Sequence, residues 1–304
     1  MKTRRGLVIG AGGVLGYTWS VCALHRFESV TGWDPRSADV LVGTSAGSVI
    51  ATLLGSGVSA SDLLASQKRK ASARKASGRR GRETESALPP WPRARPLSLR
   101  LFARGLRGKI PPSVSLVGLL PEGRAEDFGL AKAVDAVVQD GQNGTWVTHP
   151  RCWVVAMDCH DGQRVAFGRA GAPQAGSRDA VRASCAVPAW FAPIRIGDRR
   201  YIDGGVVSPT SLDLLADEGL DEVVVVSPLT WSPRDRAPAG SLGEALERVM
   251  RRAMSRVLDA EVALLESRGT RVIRIEPTAH ELRAMGPNFM DPRRRGLVLD
   301  AWSP

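Results

Sequence analysis

Residues 39–57 read DVLVGTSAGSVIATLLGSG and contain an apolar run, a turn of small residues and a second apolar run. The first run is typical of a buried strand, and the second is typical of a helix that ends at glycine. The same order occurs upstream, where LVIGAGGVLG (residues 7–16) leads into an apolar helix candidate in 18–30. Strand, turn and helix repeated in this way predict a parallel α/β sheet.

The rest of the chain continues the alternation of strand and helix patterns. The predicted strands are 152–158, 163–168, 193–197, 199–203, 222–228 and 270–277, and the predicted helices are 128–141, 178–191, 211–221, 241–269 and 291–302. The 304 residues fit one domain, and no stretch reaches the roughly 18 uncharged apolar residues of a membrane span.

The composition predicts a cytoplasmic protein. The apolar run after MKTRR is rich in glycine and lacks a small-x-small cleavage site, which argues against a signal peptide. The four cysteines show no C-x-x-C spacing and lie in apolar contexts, so we expect buried, reduced thiols: Cys22, Cys152, Cys159 and Cys185.

Residues 66–123 interrupt the alternation and read as a basic insertion whose first part is mobile. Residues 68–109 alone hold 14 Lys and Arg against two acids, so this segment accounts for the chain's net charge of +11. The segment is either a solvated loop without a role or a cap that meets anionic lipid headgroups at a membrane surface. Nucleic acid is not expected as a partner, because no recognised binding motif accompanies the charge.

The pattern Gly43-Thr44-Ser45-Ala46-Gly47 is a G-x-S-x-G sequence between a strand and a helix. A serine in that context occupies a tight elbow, where small residues two positions before and after it avoid clashes. The helix N-terminus favours an alkoxide that develops on the serine during attack. Ser45 is therefore the candidate nucleophile.

A serine nucleophile needs a base, and two candidates stand at strand ends. His280 has the position that a Ser-Asp-His triad requires, although a partly exposed histidine at a helix start explains it as well. Asp203 ends a strand and is followed by Gly204 and Gly205, which allow close approach to a substrate but also suit a hairpin turn. Asp203 could act as a base only if it were desolvated and hydrogen-bonded to Ser45.

The glycine-rich turn could instead bind a dinucleotide, which requires G-x-G-x-x-G and an acid at the end of the next strand. Here Gly10, Gly12 and Gly16 give a longer spacing, and the next strand ends in G-T-S-A-G. Both specific features of the nucleotide motif are missing.

Three elements in order make the chain resemble the patatin-like phospholipase family. They are the glycine-rich loop in residues 11–16, the G-x-S-x-G elbow in residues 43–47 and Asp203-Gly204-Gly205. RASCAVPAWFAPI before the aspartate and MDPRRR near the end extend the resemblance to residues 5–300. It implies one three-layer α/β/α sandwich over residues 1–304, with a mostly parallel central sheet and the insertion within it.

The resemblance also implies hydrolysis of fatty acyl esters of the phospholipid or lysophospholipid class by a Ser45-Asp203 dyad. Backbone N–H groups of Gly12, Gly13 and Val14 would form the oxyanion hole, and no metal or cofactor would be needed. Four glycines would support the motifs: Gly43, Gly47, Gly204 and Gly205. An acyltransferase with the same dyad and an inactive membrane-binding protein remain as alternatives. Chain length, headgroup and oligomeric state stay open.

The chain departs from the family pattern at three positions. Ala11 replaces the usual first glycine of the loop, and Leu15 stands where Arg or Lys is usual. Ser208 precedes Pro209 where the family often has Asn. The Leu15 departure predicts either compensation by the arginines of the insertion or a substrate that carries less negative charge.

Overall fold

A computed structural model describes residues 3–76, 91–125, 134, 146–231 and 242–302. The helix predicted at 128–141 lies outside these residues, except for Val134. The described part forms an eight-stranded, mostly parallel sheet with helices against it. The strands are β1 Arg5–Ile9, β2 Val40–Thr44, β3 Arg93–Pro96, β4 Pro121–Glu122, β5 Cys152–Asp158, β6 Arg164–Phe167, β7 Ile194–Ile196, β8 Arg199–Asp203, β9 Glu222–Val226 and β10 Arg271–Ile275. The α-helices are α1 Gly13–Thr31, α2 Ala46–Gly55, α3 Ala60–Ala76, α4 Leu99–Leu106, α5 Pro112–Val117, α6 Ser177–Ser184, α7 Leu242–Ser267, α8 Ala279–Met285 and α9 Arg295–Asp300.

The central sheet is parallel from β10 through β9, β1 and β2 to β5. Strands β6, β8 and β7 add antiparallel pairs beyond it, while β3 and β4 form a separate ribbon. The predicted strands and the predicted largely parallel sheet are confirmed.

Both faces of the sheet are covered, because alternate residues of each strand point to opposite sides. Leu7 and Ile9 of β1 belong to a core that includes residues of α1 and α2. Val8 belongs to a second core, which Leu258 and Val262 of α7 close from the other side. Helix layers on both faces confirm the three-layer α/β/α sandwich.

The ends of β2 and β8 meet on one edge of β5. Thr44, the last residue of β2, pairs with Val155, and Asp203, the last residue of β8, pairs with the next residue, Ala156. Strand β6 occupies the opposite edge of β5 at both positions. This register therefore brings Ser45, which follows Thr44, next to Asp203.

Two helix predictions were too long. Residues 211–221 contain only a 3₁₀ turn, Leu212–Leu215, and the helix predicted to run to residue 191 ends at Ser184. Val187 precedes Pro188 and is therefore disfavoured in helical geometry, and Ala189 has a positive φ of 66°. Helix α3 extends into the start of the basic insertion, through residues 66–76, whereas residues 77–90 of the part expected to be mobile lie outside the described residues.

Residues 91–122 form a small substructure that we call the cap. Helices α4 and α5 pack on each other, and the buried Leu97 and Leu101 share a core with Met157 and Ile202 of the main sheet. Ile202 immediately precedes Asp203, so the cap is built against the strand that ends in this aspartate.

Candidate functional site

The elbow at residues 43–47 holds Ser45 in a backbone conformation that side chains rarely adopt. Its φ and ψ are 54° and −123°, and it caps the N-terminus of α2. A Cβ at Gly43 would lie 2.4 Å from the Gly47 carbonyl oxygen, and one at Gly47 would lie 2.0 Å from the Ile9 carbonyl oxygen. Both glycines are therefore sterically required, and the turn stores strain at Ser45.

Hydrogen bonds from neighbouring elements hold the elbow in place. The Ser45 N–H donates to Ser184 Oγ over 2.8 Å, and Ser184 Oγ donates to the Val155 carbonyl oxygen over 2.6 Å. Ser48 Oγ donates to the Ser45 carbonyl oxygen over 2.6 Å. Ser184 was not identified from the sequence, since an ordinary helix-end serine carries no signal of this contact.

Asp203 lies beside Ser45, and each residue is only 5% exposed. Burial raises the pKa of the Asp203 carboxyl from 3.8 to about 6, while hydrogen bonds from the Ser45 side chain and from the Gly205 N–H oppose the rise. The Gly205 N–H lies 2.8 Å from Asp203 Oδ1. The aspartate ends β8 and leads into a 3₁₀ turn, so it is not part of a two-residue hairpin turn.

The glycine-rich loop lies next to the elbow, because a Cβ at Gly47 would come within 2.8 Å of the Gly10 carbonyl oxygen. Gly13 has a φ of 58°, and a Cβ there would come within 2.6 Å of Phe289 and within 2.5 Å of the Met290 sulfur. A Cβ at Gly12 would lie 2.6 Å from Pro228. The loop can therefore take this path only with glycine at both positions.

Three backbone donors of this loop are free among the residues that the structure describes. Leu15 N–H donates to the Phe289 carbonyl oxygen and Gly16 N–H to the Gly12 carbonyl oxygen. The N–H groups of Gly12, Gly13 and Val14 have no such acceptor there. Uncommitted N–H groups at a helix start can bind a negatively charged oxygen.

Two helices begin at the site, since Gly12 caps α1 and Ser45 caps α2. The positive ends of the two helix dipoles therefore lie at the glycine-rich loop and at the elbow. A helix N-terminus favours negative charge, whereas the buried carboxylate of Asp203 has no cationic partner among the described residues.

The structure explains two departures from the family pattern. Ala11 has no positive φ, so alanine is accommodated without backbone strain. Leu15 is fully buried in the same core as Trp19, where an unpaired cation would be costly.

Ser208 and Glu261 belong to a buried hydrogen-bond network beside the segment that contacts the glycine-rich loop. Ser208 Oγ donates to Glu261 Oε1 over 2.5 Å, and Thr210 Oγ1 donates to Glu261 Oε2 over 2.6 Å. Between these hydroxyls, the Pro209 carbonyl oxygen accepts from the Ala11 N–H over 2.8 Å. Glu261 thus holds the segment on which the glycine-rich loop rests, a role that sequence reasoning missed because the glutamate lies far along the chain.

The histidine alternative is not supported. His280 is an exposed residue in the first turn of α8, and no hydrogen bond links it to Ser45 or Asp203.

The expected buried, free thiols are present at all four cysteines. Burial raises the pKa of Cys22, Cys152 and Cys159 to about 12.

A family model described as patatin-like phospholipase matches residues 7–216, which include the glycine-rich loop, the elbow and Asp203. The chain belongs to the patatin-like phospholipase family. Members of this family are lipid acyl hydrolases, and the resemblance inferred from the three motifs is confirmed.

Solved structures that are similar to the chain include VipD and the ExoU–SpcU complex. The crystal structure of VipD from Legionella pneumophila is 15% identical, with a TM-score of 0.42, and the match covers 98% of this chain and 67% of VipD. The ExoU–SpcU complex from the type III secretion system of Pseudomonas aeruginosa is 17% identical, with a TM-score of 0.32. That match covers 88% of this chain and 52% of the other.

Within the described ranges, none of the helices combines the length and apolar character needed to cross a membrane. The same residues contain no group of three or more His, Cys, Asp or Glu side chains arranged to hold a metal ion.

Proposed function

We propose that the protein hydrolyses fatty acyl esters of the phospholipid or lysophospholipid class through Ser45 and Asp203. The observation that carries this proposal is the buried pair itself: Ser45 stands at a strained turn beside Asp203, and its side chain lowers the pKa of the buried carboxyl. Burial gives Asp203 a pKa of about 6, so the carboxylate is mostly ionised at neutral pH yet more basic than an exposed aspartate.

In the first step, Ser45 Oγ attacks the acyl carbonyl carbon while Asp203 takes the hydroxyl proton. The carbonyl oxygen becomes the oxyanion of a tetrahedral intermediate. When the intermediate collapses, the ester bond breaks, the alcohol leaves with the proton held by Asp203, and the acyl group stays on Ser45 Oγ.

In the second step, water attacks the acyl-Ser45 carbonyl carbon, and Asp203 takes one of its protons. Collapse breaks the bond to Ser45 Oγ, which recovers the proton, and the fatty acid leaves. The carboxylate thus acts as base and then acid in each half of the cycle, and histidine takes no part.

The oxyanion would be bound by the N–H groups of Gly12, Gly13 and Val14. Their lack of other acceptors among the described residues and the two helix N-termini support this assignment. In other hydrolases, losing one such donor costs about 3–4 kcal/mol of transition-state stabilisation.

The proposal is tested with Ser45→Ala and Asp203→Asn in assays with a p-nitrophenyl ester and with phospholipids. We expect each variant to lose at least about a thousandfold in kcat, because nucleophile or base is missing. Ser29→Ala and Asp198→Asn serve as controls, since both native side chains are exposed and lie outside the site.

Two further measurements sharpen the test. A fluorophosphonate probe should label Ser45 in the wild type, and kcat/KM should rise with pH through an apparent pKa near 6 as Asp203 ionises. Full activity in a folded Asp203→Asn protein would show that the Ser45-Asp203 dyad is not the catalytic machinery. Acyl transfer to an added alcohol in place of fatty acid release would identify a transferase.

A further inference from the structure

In the described part of the chain, the exposed large apolar side chains are concentrated on the cap. Six of the ten large apolar side chains that are exposed in the described part of the chain belong to residues 91–120. They are Trp91, Leu99, Leu106, Leu116, Leu119 and Leu120. Such clustering marks an interaction surface, because exposed apolar residues are otherwise scattered singly.

Helix α4 has three distinct sides. Leu101 points into the cap core, whereas Leu99 and Leu106 lie seven residues apart on the outer side and are 64% and 74% exposed. Arg100 and Arg104 lie between the inner and outer sides by helical spacing. An apolar outer stripe with flanking cations is the pattern of a helix that lies in a membrane interface.

The rest of the cap extends this stripe. Ser98 N–H donates to the Gly118 carbonyl oxygen and Leu97 N–H to the Leu120 carbonyl oxygen, which places the exposed Leu119 and Leu120 beside the start of α4. At the other end, Ser115 Oγ donates to the Phe102 carbonyl oxygen and brings α5 against α4.

The charge on this surface is positive. Glu122 is the one acid in residues 91–125, and it is occupied by Arg93, Arg95 and Arg200. The cations of Arg100, Arg107 and Lys109 have no carboxylate partner among the described residues. Apolar groups rimmed by cations are complementary to a bilayer that contains anionic lipids.

We propose that the outer side of the cap docks on an anionic lipid bilayer, with the leucines of α4 and α5 inserted and the cations at the headgroups. The inner side of the same cap packs on Ile202, next to Asp203, so the docked substructure is the one that contacts the strand carrying the aspartate. The proposal goes beyond the reaction, and its test does not depend on catalysis.

The test measures cosedimentation of the full chain with vesicles, using Ser45→Ala as the parent so that no lipid is hydrolysed. The vesicles contain phosphatidylcholine alone or an equal mixture with phosphatidylglycerol. We expect binding to the mixed vesicles that weakens as salt is added, because headgroup attraction is screened.

Two sets of cap variants distinguish the contribution of the leucines to vesicle binding from that of the cations. Leu99→Ser with Leu106→Ser should weaken binding about a hundredfold at any salt concentration. Arg100→Gln, Arg107→Gln and Lys109→Gln together should weaken it about a hundredfold at low salt and much less at high salt.

Matched controls carry the same changes elsewhere on the surface. Leu264→Ser with Leu297→Ser removes two other exposed leucines, and Arg26→Gln, Arg252→Gln and Arg256→Gln remove three other exposed cations. Parent-like binding by the cap variants, or equal losses in the control variants, would overturn the proposal. If the cap cation variant kept its binding to vesicles but lost binding to RNA, the membrane proposal would also be overturned. The cap cations would then form a nucleic-acid surface.

Discussion

At the scale of single residues, the site depends on unfavourable conformations and environments that the fold imposes. Ser45 has a positive φ, and the Asp203 carboxyl is buried with no cation paired to it among the described residues. Neither state is preferred by an isolated chain. A buried charge held for reactivity should therefore lower the stability of the folded protein.

The stability that the protein loses by burying an ionised Asp203 carboxylate can be measured from the pH dependence of the free energy of unfolding. Its pKa is raised from 3.8 to about 6, so the folded state binds the proton more tightly than the unfolded state. Stability is therefore lost as pH rises between these two values, by about 3 kcal/mol in total above pH 6.

We expect Asp203→Asn to exceed the wild type in free energy of unfolding by up to about 3 kcal/mol near pH 8 and to match it near pH 4, measured by urea denaturation. Asp198→Asn, in the exposed turn before β8, should change little at either pH. A less stable Asp203→Asn protein at both pH values would contradict this account.

At the scale of elements, helix α7 supports the site without touching it. Glu261 accepts hydrogen bonds from Ser208, Thr210 and the Leu212 N–H, and these fix the loop that follows β8. Burial, together with the charge of Asp213, raises the pKa of Glu261, while the hydroxyl donors oppose the rise. The serine at the family's usual asparagine position therefore has a structural explanation in its bond to Glu261.

We expect Glu261→Ala to lower stability by about 2–4 kcal/mol, because it leaves buried hydroxyl and N–H donors without an acceptor. It should also lower kcat more than it raises KM, since the segment that accepts from the Ala11 N–H becomes less well held. Glu261→Gln retains one carbonyl acceptor and should recover part of both losses.

Glu266→Ala, an exposed change on the same helix, is the control and should leave stability and kcat near wild type. A stability loss in Glu261→Ala with an unchanged kcat in the folded fraction would show that the glutamate does not position the loop.

At the scale of the whole molecule, one buried carboxylate fastens the cap to the main sheet. Glu122 is 3% exposed and binds Arg93 at 2.6 Å and Arg95 at 2.5 Å within the cap, and Arg200 of β8 at 3.0 Å. Burial would raise the pKa of Glu122, but the hydrogen bonds from Arg95 and Arg93 hold it below its usual value. Two arginines of the basic insertion, Arg93 and Arg95, therefore help to hold the cap in place.

We expect Glu122→Gln to loosen the cap, because a neutral amide replaces the shared carboxylate. The guanidinium groups are about half exposed, so we take the loss as about 2 kcal/mol, equivalent to a roughly thirtyfold faster hydrogen exchange in residues 91–122. Asp217→Asn, which breaks an exposed pair with Arg268, is the control. Unchanged exchange in the cap of Glu122→Gln would mean that its apolar core alone fastens it.

Local patterns in the sequence were sufficient for the strands, the elbow and the family, because steric rules for glycine and the period of apolar residues act over a few positions. They were insufficient where distant segments decide the outcome, as in residues 211–221, whose helical pattern yields only a 3₁₀ turn. A largely parallel sheet and the candidates Ser45 and Asp203 follow from these local patterns alone.

Folding of the whole chain brings these two side chains together, since their contact depends on β2 and β8 pairing with consecutive residues of β5. It also decided the raised pKa of Asp203, the buried position of Leu15 and the role of Glu261. Desolvation and long-range hydrogen bonding arise only when the chain is packed, and no spacing along the sequence encodes them directly.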